Sequence, residues 1–249
     1  MSYNRYDGKS TPEAVLNELV LSDEKDLKGV TLGVFKEWFE DGDEEVVSRN
    51  REVLDAMVKR GATLKAVKLP NMNSARLAHA IKITSEFAVN WDVHFGAGSD
   101  LEPATKITVA LGQTSTALEV LAAEKVRRFL FDAFEEVYVG GVDAVVTPTT
   151  SVTAPKIPEN FDYSTGESNT PLSVELLKFV FPGNFIGLCG MATPIGFDKG
   201  GKGMPISMLF TGRQWTEDMM LRLSAAAGEI VKEKGWDVTR VPEDRISLL

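Results

Sequence analysis

Short β-branched and apolar runs alternate along this chain with segments whose apolar residues recur every three to four positions. Such alternation of strands and helices is typical of α/β proteins. A glycine-rich turn over 198–203 separates the last two apolar runs, which is typical of a hairpin. We therefore expect a mixed β-sheet flanked by helices. The predicted strands are 29–35, 62–69, 142–147, 191–197 and 204–212.

Helix signals lie between these strands. Thr116 and Glu119 have the spacing of a capping box, in which each residue satisfies a backbone N–H near the other. The segment 91–104 is rich in glycine and aspartate, and we interpret it as a loop. The predicted helices are 11–21, 44–60, 74–90, 117–136, 171–181 and 217–234.

Two of these helices have apolar residues at helical spacing. In the helix over 74–90, one face carries Leu77, Ile81, Thr84 and Phe87. The helix over 117–136 is expected to bury five apolar residues. These are Leu118, Leu121, Phe129, Leu130 and Phe134.

Composition and charge narrow the possible functions. Of the 249 residues, 43% are hydrophobic, which favours a packed core over disorder. The net charge of −9 argues against a nucleic-acid partner, because such binding relies on many Lys and Arg side chains. The basic cluster Lys125, Arg127 and Arg128 is too short to reverse this, and we interpret it as the solvated face of a helix.

The cysteine count and the hydropathy indicate the compartment. Cys189 is the only cysteine, so an intramolecular disulfide or a multi-cysteine metal site cannot form. Residues 1–10 are polar and do not resemble a signal peptide, and no apolar run has the length of a transmembrane segment. A cytoplasmic location is the expectation, and peripheral contact with a membrane is compatible with it.

The sequence offers few candidates for catalysis. His79 and His94 are the only histidines, and no Gly-x-Ser-x-Gly motif accompanies them, so we interpret them as a packing and a surface residue. Cys189 lies between glycines and has two interpretations: half of a Cys–His pair, or a small buried hydrophobe. The acidic cluster over 41–45 lacks the further ligands of a calcium loop, and no phosphate-binding loop is present. We expect neither a metal nor a cofactor.

The segment 147–155 is rich in threonine and proline and follows a predicted strand. In open α/β sheets, ligands bind beyond the carboxyl ends of strands, which makes this segment a candidate site. The alternative is a proline-shaped loop whose hydroxyls satisfy nearby backbone groups. The residues alone leave both interpretations open.

Three segments in order resemble the amidase-signature family. The first joins the arginine-bearing helix before Asp143 to the apolar strand and the Thr-Pro loop over 147–155. The second is Asn184-Phe185-Ile186-Gly187-Leu188 with the strand over 194–198. The third runs from Gly203-Met204-Pro205 to Thr211-Gly212-Arg213 and into the last helix. The resemblance covers about 29–229, and it implies an incomplete amidase-signature fold over 29–249 after an N-terminal loop and short helix over 1–28.

The resemblance implies hydrolysis of C–N amide bonds, which the family performs with a Ser-Ser-Lys triad in its N-terminal half. The Gly- and Ser-rich signature of that triad is not found here. The nearest match, over 112–116, lacks glycines around its serine. The segment 188–194 also departs from the family's usual Leu-Pro-Ala-Ile-Ser-Val-Pro. No catalytic residue is assigned.

Within the family, the segments 36–39 and 178–181 most resemble plant-type fatty acid amide hydrolases. In such relatives, apolar residues one and two turns before the Asn of the second segment line the acyl channel. The matching positions are Phe181 and Leu177, and the resemblance makes them substrate-binding candidates for an acyl amide. Simple core packing is the alternative.

We therefore expect an amidase half that supplies the scaffold and an apolar substrate channel and works with a complementary N-terminal half. The rival hypotheses are an inactive module that binds lipids or acyl amides, and a truncated gene product. An uncovered sheet edge or apolar face would leave the chain marginally stable and prone to association.

Overall fold

The computed structural model describes residues 26–95, 101–157, 161, 164, 168–198 and 203–236, with side chains omitted over 92–95. The helix predicted over 11–21, and with it nearly all of the segment 1–28, lies outside the described residues.

Five strands of the described chain form one mixed sheet, which confirms the predicted fold class. They are β1 (Thr31–Val34), β2 (Thr63–Ala66), β3 (Ala144–Pro148), β4 (Cys189–Phe197) and β5 (Pro205–Gly212). Their order is β2-β1-β3-β5-β4. The strand β1 pairs in parallel with β2 and β3, whereas β5 pairs antiparallel with β3 and β4. Every predicted strand is present, each within a few residues of its expected bounds.

Eight helices flank this sheet in the described part of the chain. They are α1 (Lys36–Phe39), α2 (Glu44–Lys59), α3 (Met72–Phe95), α4 (Pro103–Thr114), α5 (Ala117–Val139), α6 (Thr170–Leu177), α7 (Phe181–Ile186) and α8 (Glu217–Glu233). The predicted capping box starts α5, where the Thr116 hydroxyl accepts from the Glu119 N–H and the Glu119 carboxylate accepts from the Thr116 N–H.

The sheet separates two hydrophobic clusters because successive strand residues point to opposite faces. In β3, Ala144 and Val146 join a cluster with α2 and α8. Val145, between them, joins the other cluster with α1, α3, α5 and α7. The fold is therefore a three-layer α/β/α arrangement.

The structure corrects two helix predictions. The helix α3 continues through Phe95, and the segment predicted as a loop over 91–104 also contains the start of α4, which was not predicted. The single helix predicted over 171–181 is two helices, because Pro182 has no N–H to bond the Lys178 carbonyl of a continuous helix.

The predicted buried face of α5 is only partly correct. Leu130 and Phe134 are fully buried, whereas Leu118 and Leu121 are 79% and 60% exposed and Phe129 is 45% exposed. Leu77 on α3 is likewise 65% exposed. The buried residues belong to the cluster that contacts the sheet. Helical spacing identified apolar positions, but it did not show which of them the other elements cover.

Candidate functional site

The carboxyl ends of the parallel strands β1 and β3 lie side by side at one edge of the sheet. The turn after α1 contacts the loop after β3, where the Asp43 N–H donates to the Ser151 carbonyl at 2.7 Å. Gly42 makes this approach possible, because a Cβ there would lie 2.9 Å from that same carbonyl oxygen. The Thr-Pro segment predicted as a candidate site is part of this edge.

A polar cluster around the buried side chains of Lys178 and Ser151 holds α6 against these two loops. Lys178, 6% exposed, follows α6 directly. Its ammonium donates to the Asp41 carbonyl at 3.0 Å, to the Asp41 carboxylate at 2.9 Å and to the Glu175 carboxylate at 2.8 Å. All three N–H donors of the ammonium are therefore used. Ser151, fully buried, donates its hydroxyl to the same Glu175 oxygen at 2.6 Å.

Lys178 and Glu175 keep their charges at neutral pH. Hydrogen bonds from Lys178 and then Ser151 lower the pKa of Glu175. Burial alone would lower the pKa of Lys178, but its hydrogen bonds to Glu175 and Asp41 outweigh burial and raise that pKa. The cluster is thus a compensated ion-pair network.

The hydroxyls of Thr147, Thr149 and Thr150, at the end of β3 and in the loop after it, divide into two groups. Thr150 donates to the Val152 carbonyl at 2.8 Å, which fits the interpretation of local bonding. The hydroxyl oxygens of Thr147 and Thr149 are buried and have no hydrogen-bond partner among the described residues. Such groups are uncommon in folded proteins and are usually satisfied by a water or a ligand.

The two substrate-binding candidates lie on either side of the break between α6 and α7. Leu177 ends α6 and is 49% exposed, so a ligand can reach it. Phe181 begins α7 and is 2% exposed, with its ring centroid 5.8 Å from that of His79. The structure thus places Leu177 at the surface and Phe181 in the core. We call Leu177 and Phe181 the α6–α7 wall.

His79 is a packing residue in this structure. Its ring lies against Phe181 and Phe185, with centroid distances of 5.8 and 5.6 Å. Burial lowers its pKa, so the imidazole is neutral at pH 7. The side chain of His94 lies outside the described residues.

Cys189 is not paired with His79. It packs against the cluster of α2 and α8, on the opposite face of the sheet. Burial, together with the nearby carboxylates of Glu217 and Asp218, raises the pKa of the thiol to about 11. A thiol that stays protonated at neutral pH is a poor nucleophile, so the structure favours the small-hydrophobe interpretation.

A second concave surface lies between α3, α4 and the start of α5. It encloses about 820 Å³ and is lined by Ala88, Val89, Gly112, Val120 and Leu121 among others. We call it the α3–α5 groove. The described residues contain no group of three or more His, Cys, Asp or Glu placed to hold a metal ion, here or elsewhere.

Comparison with known proteins identifies the family to which this chain belongs. A family model described as Amidase matches residues 2–221. The chain belongs to the amidase family. The match confirms the resemblance identified from the three segments.

Amidase-family relatives include two plant enzymes. A fatty acid amide hydrolase of Medicago truncatula is 34% identical over 229 residues, which cover 90% of this chain and 37% of that protein. The fatty acid amide hydrolase of Oryza sativa subsp. japonica is 32% identical over 231 residues, covering 91% and 37%. The chain spans a little over a third of these curated relatives.

Among solved structures, one subunit of the glutamyl-tRNA(Gln) amidotransferase of Thermotoga maritima matches with a TM-score of 0.61 and 27% identity. The match covers 82% of this chain and 43% of that one. This likeness confirms the amidase-signature character of the mixed sheet and its flanking helices.

The sequence did not indicate the polar cluster of Asp41, Ser151, Glu175 and Lys178. One signal was available, because Lys178 is a single charge within the apolar run over 176–182. A lysine in such a run is rarely buried unless it is paired. Its partner Asp41 lies 137 positions away, and only the fold brings the two together.

Proposed function

We propose that this chain supplies the scaffold and an apolar substrate wall of a C–N amide hydrolase, while a complementary amidase half supplies the Ser-Ser-Lys residues. Membership of the amidase family supports the reaction class. The Gly- and Ser-rich signature of the triad is not found in this sequence, so the Ser-Ser-Lys residues would have to come from an amidase half outside it.

The observation that carries the proposal is the position of the α6–α7 wall. Leu177 is 49% exposed at the end of α6, and the neighbouring Lys178 and Glu175 bond this end of α6 to Asp41 and Ser151, in the segments that follow α1 and β3. Phe181 is 2% exposed at the start of α7. A long acyl chain gains about 0.8 kcal/mol for each methylene it buries against an apolar surface. The named activity of the plant relatives makes a fatty acyl amide the substrate class that we infer.

Activity is tested first with the purified chain. We expect no release of 7-amino-4-methylcoumarin from its decanoyl amide and no labelling by a serine-reactive fluorophosphonate. Co-expression with an amidase-family chain that carries the Ser-Ser-Lys residues should restore turnover. Turnover by this chain alone, in step with labelling of one of its serines, would contradict the proposed division.

Substrate binding is tested with two matched variants. Leu177→Asp places a charge on the α6–α7 wall, whereas Leu121→Asp places the same charge in the α3–α5 groove at a residue that is 60% exposed. We expect Leu177→Asp to weaken decanamide binding by about tenfold or more, because an acyl chain would desolvate the carboxylate. Leu121→Asp should leave the affinity unchanged.

The reverse pattern in calorimetric titrations would place the acyl chain in the α3–α5 groove and overturn the assignment of Leu177. Decanamide binding by a chain that remains inactive with every complementary half would instead favour an inactive acyl-amide binding module.

We also infer a cytoplasmic location. The sequence has a single cysteine and therefore no intramolecular disulfide, which suits a reducing compartment. Among the described residues, no helix combines the length and apolar content that a membrane span requires. Membrane fractionation of cells that express the chain tests this inference.

A further inference from the structure

The angle between α6 and α7 is not fixed by helix hydrogen bonds. A continuous helix would place Leu177 and Phe181, four residues apart, one above the other on a single face. The chain instead breaks over 178–180, and Leu177 is exposed whereas Phe181 is fully buried. Side-chain contacts of the connection therefore help to set how the two helices meet.

We propose that Lys178 is a positioning residue for the α6–α7 wall, an inference that rests on the proposed function. Lys178 follows Leu177 directly and precedes Phe181 by three positions. Its ammonium has three donors and three acceptors within 3.0 Å, so a rotation of this connection breaks at least one hydrogen bond. Leu177 is held outward because its neighbour is held inward.

Contacts with Asp41 and Ser151 connect the α6–α7 wall to the strands of the sheet. The Asp41 acceptors belong to the turn that follows α1, and α1 follows β1. Glu175 also accepts from Ser151, which lies three residues beyond the end of β3. Through these contacts the wall keeps a fixed place relative to the carboxyl ends of both parallel strands.

Lys82 provides a matched control for general stabilisation by an ion pair. It too contacts two carboxylates, those of Glu86 and Glu124, and its side chain is 25% exposed. These partners lie on α3 and α5, so the Lys82 network does not contact the connection between α6 and α7. Loss of Lys82 should reduce stability without disturbing the wall.

The experiment compares Lys178→Met, Lys178→Arg and Lys82→Met in the full chain. The first measurement is hydrogen–deuterium exchange of the backbone amides over 177–187, without ligand. The second is calorimetric titration with decanamide at a temperature where far-UV circular dichroism shows every variant folded. Asp41→Asn, which keeps the backbone acceptor, replaces Lys178→Met if that variant does not fold.

We expect Lys178→Met to raise exchange over 177–187 and to weaken decanamide binding, each by about fivefold or more, the scale of one partly screened ion pair. Lys178→Arg should recover part of both effects, and Lys82→Met should change neither. Unchanged exchange in Lys178→Met, or equal effects in Lys82→Met, would overturn the positioning role.

The failure of the proposed function is distinguishable from this outcome. If the unmodified chain does not bind decanamide, but Lys178→Met alone raises exchange over 177–187, the anchoring role stands and the substrate proposal fails.

Discussion

At the scale of single residues, the environment of Cys189 determines its reactivity. The thiol receives a backbone hydrogen bond from Thr216, which lowers its pKa. Burial and the negative charges of Glu217 and Asp218 act in the opposite direction, and they prevail. Position beside a helix N-terminus is therefore not enough to activate a cysteine when acidic residues occupy the first helical turn.

This balance predicts slow alkylation of the folded chain. Raising the thiol pKa from 9.0 to about 11 reduces the thiolate fraction about 100-fold at pH 8. We expect iodoacetamide to label the folded chain about 100-fold more slowly than the chain in urea. Mass spectrometry measures labelling unambiguously, because the chain has one cysteine. Labelling of the folded chain at the denatured rate would contradict the prediction.

The same pKa shift affects stability in alkaline solution. The folded state holds the thiol proton more tightly than the unfolded state, so this contribution to stability is complete below pH 9.0. It declines as the pH rises toward about 11. Replacement of Cys189 by alanine removes that pH dependence.

At the scale of secondary structure elements, the contact between α3 and α4 depends on one glycine. A Cβ on Gly112 would lie 2.1 Å from the Thr84 carbonyl oxygen and 2.8 Å from the Ala88 methyl carbon. The two helices therefore pack backbone against backbone at this point. Any side chain on residue 112 must separate them.

We predict that Gly112→Ala destabilises the chain by about 1–3 kcal/mol, because overpacking outweighs the higher helix propensity of alanine. Gly228→Ala is the matched control, since Gly228 lies within α8 and has no atom within 4 Å of its added Cβ. That variant should gain up to about 1 kcal/mol. Urea denaturation measures both changes, and equal gains would show that α3 and α4 separate readily.

The glycine also explains why α4 escaped prediction from sequence. A glycine and several threonines lower helix propensity over 103–114, so local preference does not favour a helix there. Close packing on α3 supplies the stabilisation, and that packing is visible only in the fold. The strands were predictable because their β-branched runs and turns are local signals.

The candidate site shows the same division between local and long-range information. Leu177 and Phe181 could be selected from sequence because a family segment surrounds them. Lys178 could not be assigned a role, because its partner Asp41 is remote in the chain. The substrate-binding role of Leu177 and Phe181 stays a prediction from a family segment, whereas the contacts of Lys178 are found only from the structure.

At the scale of the whole molecule, the two sides of the sheet differ in how well their helices are covered. The helices α3, α4 and α5 expose several large apolar residues. These are Leu77, Ile83, Phe87, Val89, Ile107, Leu111, Leu118, Leu121, Phe129 and Val139. On α2, by contrast, Val58 is the only large apolar residue exposed to this degree. Apolar surface of this extent favours association.

The net charge of −9 opposes association at low ionic strength, because like-charged chains repel one another. Salt screens this repulsion and leaves apolar contacts nearly unaffected, so added salt should shift the balance toward larger species. We predict that sedimentation velocity shows self-association that increases with protein concentration and with NaCl. Association that decreases with salt would indicate ionic contacts instead.

A pair of variants locates the associating surface. Leu118→Glu adds a charge to the apolar side of the molecule at a residue that is 79% exposed, and Val58→Glu adds the same charge on α2, where Val58 is 39% exposed. Both make the net charge more negative by one, from −9 to −10, so any general effect of repulsion is shared. If the helices α3 to α5 carry the contact, only Leu118→Glu suppresses association beyond this shared effect. Equal suppression by both variants would mean that charge, and not this apolar surface, controls the assembly.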